Sequence, residues 1–157
     1  MQAIVCVSAD WGIGKDNALL FHLKPDLQRF RALTLGKTIV MGRHTLESFP
    51  GGKPLPKRRN IVLSTTLPPR EGVTVVRSVE ELLPLCDEET SLCGGAQVYR
   101  TLLPYCTRVL VTKVEASPAA DAYFPDLDAD PAWKIKEKSG EQEADGFRFR
   151  YIDYVRK

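Results

Sequence analysis

The chain reads as an α/β domain built on a mixed, mainly parallel sheet flanked by helices, and three observations point there. Short apolar runs rich in β-branched residues alternate with helical segments as far as residue 114, a rhythm that requires crossover connections and hence parallel pairing. Two later apolar runs follow one another with no helix between them, which suits an antiparallel edge. Finally, 157 residues with 43% hydrophobic and 27% charged side chains have the size and balance of one globular domain that buries its own core.

Residues 3–8 are apolar and rich in β-formers, as a buried strand requires, and residues 10–17 are turn-rich. Residues 25–33 read as a helix with Pro25 at its start, Gly36 beyond its end, and Leu23, Leu27 and Phe30 on roughly one side. Residues 38–41 form a second strand, followed by a short helical candidate over 42–49. Residues 50–56 are a glycine- and proline-rich connection, and 60–64 supply a third strand. Residues 74–76 are a brief strand, and 78–85 a helix with Ser78 as cap and Glu81 at the reciprocal capping-box position. Residues 91–93 return to the sheet, 97–103 form a helix ended near Pro104, and 108–114 are a strong strand. Residues 121–131 are acidic and contain proline; 133–138 and 147–155 are partly exposed strands separated by a polar turn at Gly146. No repeat or linker marks a second domain, so residues 1–157 are expected to act as one.

A net charge of +2 from 22 basic and 20 acidic side chains, scattered along the chain, gives no footprint for nucleic acid or a membrane surface. Cys6, Cys86, Cys93 and Cys106 lie in or beside apolar runs without the close pairing of a zinc or redox motif, and His22 and His44 stand well apart. Small buried thiols and no metal are expected. Without a basic flank or long apolar segment at residues 1–6, and with no run near the roughly 20 residues that cross a bilayer, a cytoplasmic address is expected.

Two strand exits carry glycine before a helix start: Met41-Gly42-Arg43-His44-Thr45 and Cys93-Gly94-Gly95-Ala96-Gln97. A helix N-terminus offers unpaired N–H groups and a field that favours anions, and small residues admit a pyrophosphate to the main chain. Each taken alone can be a plain turn, and neither has the Gly-x-Gly-x-x-Gly order of the usual dinucleotide fingerprint; only the pair suggests a nucleotide. Arg43, Ser64, Thr65 and Arg77, if their loops converge, supply the guanidinium and hydroxyl groups that hold a ribose phosphate and favour NADPH over NADH.

Asp26 has two readings. It is either a helix-start carboxylate stabilised by the helix field, or a partly buried acid that hydrogen-bonds a planar nitrogen heterocycle while Phe30 covers an aromatic part of the ligand. Arg58 is either a solvated surface arginine or a clamp for a ligand carboxylate.

Taken together these residues resemble the dihydrofolate reductase family over nearly the whole chain. The match runs through Ile4 to Gly14, His22-Leu23, Asp26-Leu27, Phe30, Gly36-Lys37, Met41 to Thr45, Glu47-Ser48, Pro54-Leu55-Pro56, Arg58, Asn60, Gly94 to Tyr99, Thr112 and Phe124-Pro125. The resemblance implies a central sheet of about eight strands and NADPH-dependent reduction of 7,8-dihydrofolate to 5,6,7,8-tetrahydrofolate. A monomer is expected, since no unused interaction element is apparent in the sequence. It assigns Asp26 to the 2-amino and N3 edge of the pterin, supported by Thr112. Ile4, Cys6, Leu27, Phe30, Phe49, Leu55 and Cys93 would line the substrate pocket, and Arg58 would bind the α-carboxylate of the glutamate tail.

For the cofactor it implies Ala9 and Ile13, the first turn Gly42, Arg43, His44 and Thr45, and the second turn Gly94, Gly95, Ala96, Gln97, Val98 and Tyr99. Ser64, Thr65 and Arg77 would lie near the adenosine-ribose phosphate, and a cis Gly94–Gly95 peptide is expected. Residues 9–23 look like the family's mobile loop, with Leu19 closing over the reaction.

The sequence departs from the family at Leu20-Phe21, where proline-tryptophan is usual, so Phe21 supplies no indole N–H for a water near the carboxylate. Ala122 stands where the family has a threonine hydroxyl supporting that loop. Two other readings fit parts of the pattern: an NADPH-dependent pyrimidine reductase of riboflavin synthesis, and a nonenzymatic pterin-binding protein.

Overall fold

The structure is a computed structural model that describes residues 1–157. Its contacts divide the chain into two compact units, each assembled from separate stretches: residues 1–3 with 33–106, and residues 4–32 with 107–157.

In the first unit the strands pair in the order β1-β7-β4-β5-β6, all parallel: β1 (Gln2–Val7) through Gln2 and Ala3, β7 (Ser91–Leu92), β4 (Thr38–Met41), β5 (Arg59–Leu63) and β6 (Val73–Val76). Parallel neighbours require crossovers. Helix α2 (Arg43–Ser48) lies between β4 and β5 in the chain, and α3 (Val79–Leu82) between β6 and β7. Helix α4 (Ala96–Leu102) leaves β7. Ile39, Met41, Leu46, Val62 and Leu67 form the core there, with Phe49, Leu55 and Cys93 packed on it. The near-continuous apolar run of β4 is the signature of a strand covered on both faces.

The second unit is antiparallel where the first is parallel. Strand β8 (Arg108–Val114) pairs β12 (Phe147–Arg156) from Arg108↔Val155 to Val114↔Phe149, and β12 pairs β10 (Trp133–Lys138) on its other side. Helix α1 (Lys24–Thr34) and the remainder of β1 belong to this unit, except that the last two residues of α1 fall in the first. Phe21, Leu23, Val114 and Phe149 form a buried cluster with Cys6, Leu20, Phe147 and Tyr151 against it.

The expected class, a mixed and mainly parallel sheet flanked by helices, is the observed one. The main sheet has nine strands rather than eight. The addition is β11 (Gln142–Ala144), which pairs the start of β12 through a tight turn at Asp145-Gly146. Both turn residues have positive φ, 52° and 82°, the conformation that two-residue hairpins favour and that Asp-Gly adopts readily. The turn-rich stretch after β1 is also more regular than expected. There β2 (Gly12–Lys15), β3 (Ala18–Leu19) and β9 (Ala122–Tyr123) make a small antiparallel sheet in the order β3-β2-β9. At four residues or fewer, these strands are too short to give an alternation signal.

Candidate active site

Asp26 lies in the first turn of α1, directly after Pro25, the helix's second residue. Its carboxyl turns toward β8 and β1 within the second unit: Thr112 Oγ1 donates to Oδ1 at 2.5 Å, and the Cys6 thiol donates to the same carboxyl. Burial has the largest effect on it and pushes its pKa above the usual carboxylate range; the Thr112 bond, the Arg29 guanidinium and the Cys6 bond pull it partly back. Burial, and then the facing Asp26 charge, raise the Cys6 pKa far above that of an ordinary thiol. Cys6 is therefore a protonated donor at neutral pH. The helix-start reading does not account for an acid bonded by side chains of two strands, so the buried-acid reading is the one the geometry favours.

The apolar residues expected around the substrate divide by exposure. Leu27 and Leu19 are 51% and 58% exposed, unusually open for leucine. Ile4 and Phe30 are half-buried. Phe21 is a buried core residue, set edge-on to Phe147 with ring centroids 5.1 Å apart. Ala122 pairs with Gly14. Its neighbour Asp121 ties the loop instead: Asp121 Oδ2 accepts from the Asp16 N–H at 3.0 Å, and the Asp121 N–H donates to Gly14 O at 3.0 Å. Ala9 donates its N–H to Ala116 O at 2.9 Å, and Ile13 is buried.

In the first unit the two glycine turns meet. The Gly42 N–H donates to Gly94 O at 2.9 Å. A Cβ on Gly42 would stand 3.2 Å from Val98 Cγ2, and one on Gly94 3.3 Å from Thr45 Oγ1, so side chains larger than hydrogen would drive the turns apart. Gly94 has φ +120° and its peptide to Gly95 is cis, as expected. Gly42 and Gly95 occupy the N-cap positions of α2 and α4, and neither helix has a side-chain cap. Ala96 and Gln97 open α4, where Val98 and Tyr99 are buried. His44 projects outward, 3.7 Å from Glu47 Oε1.

Arg43, Ser64 and Arg77 also converge, at the ends of neighbouring strands β4, β5 and β6. Arg77 Nη1 donates to Ser64 O at 3.0 Å, and Arg43 Nη1 to Thr66 Oγ1 at 3.2 Å. Ser64 Oγ accepts from the Leu67 N–H at 3.1 Å, closing the turn that carries exposed Thr65. Arg77 is held further by Glu81, whose carboxylate accepts the Arg77 N–H at 3.0 Å while Ser78 Oγ accepts the Glu81 N–H at 3.2 Å. Ser78 thus caps α3 as expected, while the reciprocal half of the capping box is shifted by one residue, the Glu81 carboxylate accepting the Arg77 N–H.

Arg58 is no freely solvated arginine. Its Nε donates to Thr34 Oγ1 at 2.9 Å and its Nη1 to Pro56 O at 3.1 Å. Phe49, Leu55 and Cys93 pack together on the core of the same unit, and burial pushes the Cys93 thiol up to about 12.

Sequence reasoning missed Thr34, Thr66, Arg29 and Glu81's role toward Arg77. Thr66 was within reach, adjoining Ser64-Thr65 on the same strand exit. Thr34 carries no local signal, since its partner Arg58 lies 24 residues away.

Two uncapped helix starts joined through glycine, beside arginines and hydroxyls at three strand ends, have the donor set a dinucleotide phosphate requires. The second unit separately holds a half-buried acid bonded by side chains of two strands, and phosphate-type donor sets and acids of these kinds are the parts from which nucleotide-dependent oxidoreductases are built. The dihydrofolate reductase family model matches residues 1–156. The chain is 39% identical over 160 residues to the dihydrofolate reductase of Bacillus subtilis, covering 98% of this chain and 93% of that one. It is 40% identical over 162 residues to that of Mycobacterium tuberculosis, covering 99% and 98%. Among solved structures, dihydrofolate reductase from Enterococcus faecalis complexed with NADP(H) and RAB-propyl superposes with a TM-score of 0.87 at 32% identity, covering 99% of this chain and 95% of that one. The chain belongs to the dihydrofolate reductase family, and the enzymatic reading stands with it.

Proposed function

We propose that this chain binds 7,8-dihydrofolate through Asp26 and reduces it to 5,6,7,8-tetrahydrofolate with NADPH. The observation that carries the reading is the Asp26 carboxyl, half-buried and bonded by Thr112 and Cys6 within a family whose members are dihydrofolate reductases. Such a carboxyl accepts hydrogen bonds from the 2-amino and N3 edge of a pterin, fixing the ring's orientation and polarising it. The bound nicotinamide supplies the hydride that adds to C6. A proton must also reach N5, and we assign its delivery to water admitted by the 9–23 loop, because Asp26 grips the far edge of the ring.

Ile4, Cys6, Leu27 and Phe30, with Phe49, Leu55 and Cys93, are assigned to the substrate, and Arg58 to the glutamate-tail carboxylate. Thr34 sets the plane of the Arg58 guanidinium. Leu19, exposed on β3, is assigned to closure, and Phe21 to the apolar packing behind Asp26. Ala9, Ile13, residues 42–45 and residues 94–99 are assigned to NADPH; Ser64, Thr65, Arg77 and Arg43 provide the preference for its extra phosphate. No helix is long and apolar enough to cross a membrane, and we place the enzyme in the cytoplasm as one catalytic domain over residues 1–157, working as a 17.6 kDa monomer.

The test is steady-state NADPH oxidation with dihydrofolate, repeated with NADH and with the pyrimidine substrate of riboflavin synthesis. Turnover of dihydrofolate with NADPH well ahead of the other pairs is expected. No dihydrofolate turnover would remove the reading, and equal efficiency with NADH would remove the assignment of Arg43, Thr65 and Arg77.

A further inference from the structure

We propose that Arg29 is a positioning residue for the reaction: parked on the Tyr151 ring, its guanidinium holds a positive charge one helical turn from Asp26 and keeps that half-buried acid able to ionise. The inference rests on the reading of Asp26 as the pterin-binding carboxylate. It explains how an acid whose burial favours the neutral form is kept available as an anion.

The geometry is a short relay within the second unit. Arg29 follows Asp26 by three residues on α1, a spacing that puts both on one side of a helix. The guanidinium carbon sits 4.1 Å from the centroid of the Tyr151 ring, within range of a cation–π contact. Tyr151 is the cross-strand partner of Thr112, whose hydroxyl bonds Asp26. The Tyr151 ring is steadied by buried Phe149, edge-on with centroids 5.6 Å apart. Arg29 therefore rests on a shelf supplied by the strand next to the one that supports the acid.

The groups that face Asp26 are few. Cys6 of β1 and Thr112 of β8 donate hydrogen bonds, Tyr151 of β12 is a neutral phenol at neutral pH with its pKa raised chiefly by burial, and Arg29 of α1 is the cation. Arg29 acts in the direction that favours the ionised carboxylate, second only to Thr112 among the groups that do so. Its outer side lines a cleft of about 350 Å³ shared with Tyr151, Arg108 and Asp153. In that cleft Arg108 is already engaged by Asp153 through both guanidinium nitrogens that reach it. Arg29 makes no ion pair with Asp26 and acts on it through space from its seat on Tyr151, and, being open to the cleft, its influence is screened by salt.

The decisive measurement is the protonation midpoint of Asp26 in the ligand-free protein, followed by its carboxyl ¹³C shift, in wild type, Arg29→Gln and Arg29→Lys. The midpoint is expected to move to higher pH in Arg29→Gln and to return most of the way in Arg29→Lys, with the gap narrowing at high salt. The acid limb of the kcat/KM profile for dihydrofolate is expected to move up with it. An unmoved midpoint in Arg29→Gln, or the same displacement in Arg29→Lys, would overturn the proposal. Should Arg29→Gln fail to fold, the wild-type midpoint decides: a rise between low and high salt supports the proposal, and no change overturns it. Failure of the functional reading shows separately, as unchanged dihydrofolate turnover in Asp26→Asn, and leaves the ligand-free titration intact.

Discussion

The glycine turns at residues 42–45 and 94–97 and the acid at Asp26 are built by opposite means. At the turns the chain removes side chains so that two strand-to-helix junctions can bond each other, Gly42 N–H to Gly94 O, leaving helix starts with no cap of their own. At Asp26 it adds side chains, two donors and a nearby cation, around an ionisable group whose burial opposes its charge. Backbone sites are sensitive to shape, and side-chain sites to charge. Substitutions that alter one without the other separate the two.

The largest effect is expected from Asp26→Asn, nearly isosteric but without the charge. We expect kcat/KM for dihydrofolate to fall by about 10² to 10³-fold at neutral pH, the range for losing a positioned ionisable group, with the far-ultraviolet spectrum unchanged. Its stability should move the other way. The folded pKa of Asp26 is raised, so the native state holds its proton more tightly than the unfolded chain, and wild type loses stability as pH rises from the unfolded carboxylate value through the folded one. Asn carries no such loss. The variant should therefore unfold at higher temperature than wild type at neutral pH, and the difference should vanish below the unfolded value. A thermal melt series against pH checks the sign.

Gly94→Ala tests the backbone side. With φ at +120° and Thr45 Oγ1 only 3.3 Å from the new Cβ, the substitution is expected to cost about 1–3 kcal/mol, as for other residues forced into sparsely populated backbone regions. Urea unfolding should show it. The KM for NADPH should rise more than that for dihydrofolate.

The two regions also differed in how far sequence alone exposed them. Glycine before a helix start is a local signal, and each turn was readable by itself because its own residues lie within a few positions of one another. Asp26 was ambiguous because its partners come from distant strands; the Thr112 hydroxyl is 86 residues away. Strands β4, β5 and β8 were legible from apolar runs, whereas β2, β3, β9 and β11, at four residues or fewer, are too short to show a pattern. Phe21 shows the same limit. Its lack of an N–H was visible in the sequence, but not its partner Phe147, which makes it a core residue.

Arg77→Met sharpens the comparison within the nucleotide side, because it removes charge where Gly94→Ala alters shape. A hydrogen bond to a charged group is worth about 1.5–3 kcal/mol, or roughly 10- to 10²-fold in binding. The preference for NADPH over NADH, measured as the ratio of kcat/KM values, should fall by about 10-fold, the low end of that range, because Arg77 is exposed and Arg43 remains. Dihydrofolate KM should stay put.

The smallest effect is expected one step further out, at Glu81. Its carboxylate accepts the Arg77 N–H while its own N–H is capped by Ser78, so it ties the start of α3 to the backbone that carries Arg77. Both bonds are exposed, and losing one such cap should cost about 0.5–1 kcal/mol. Glu81→Ala keeps the Ser78 cap, since that bond uses the Glu81 N–H, and isolates the carboxylate's hold on Arg77. If that hold orients the guanidinium, the variant should show a raised KM for NADPH, smaller than in Arg77→Met, with KM for NADH unchanged. A matched rise for both nucleotides would mean that Glu81 supports α3 alone, and that Arg77 reaches Ser64 O without its help.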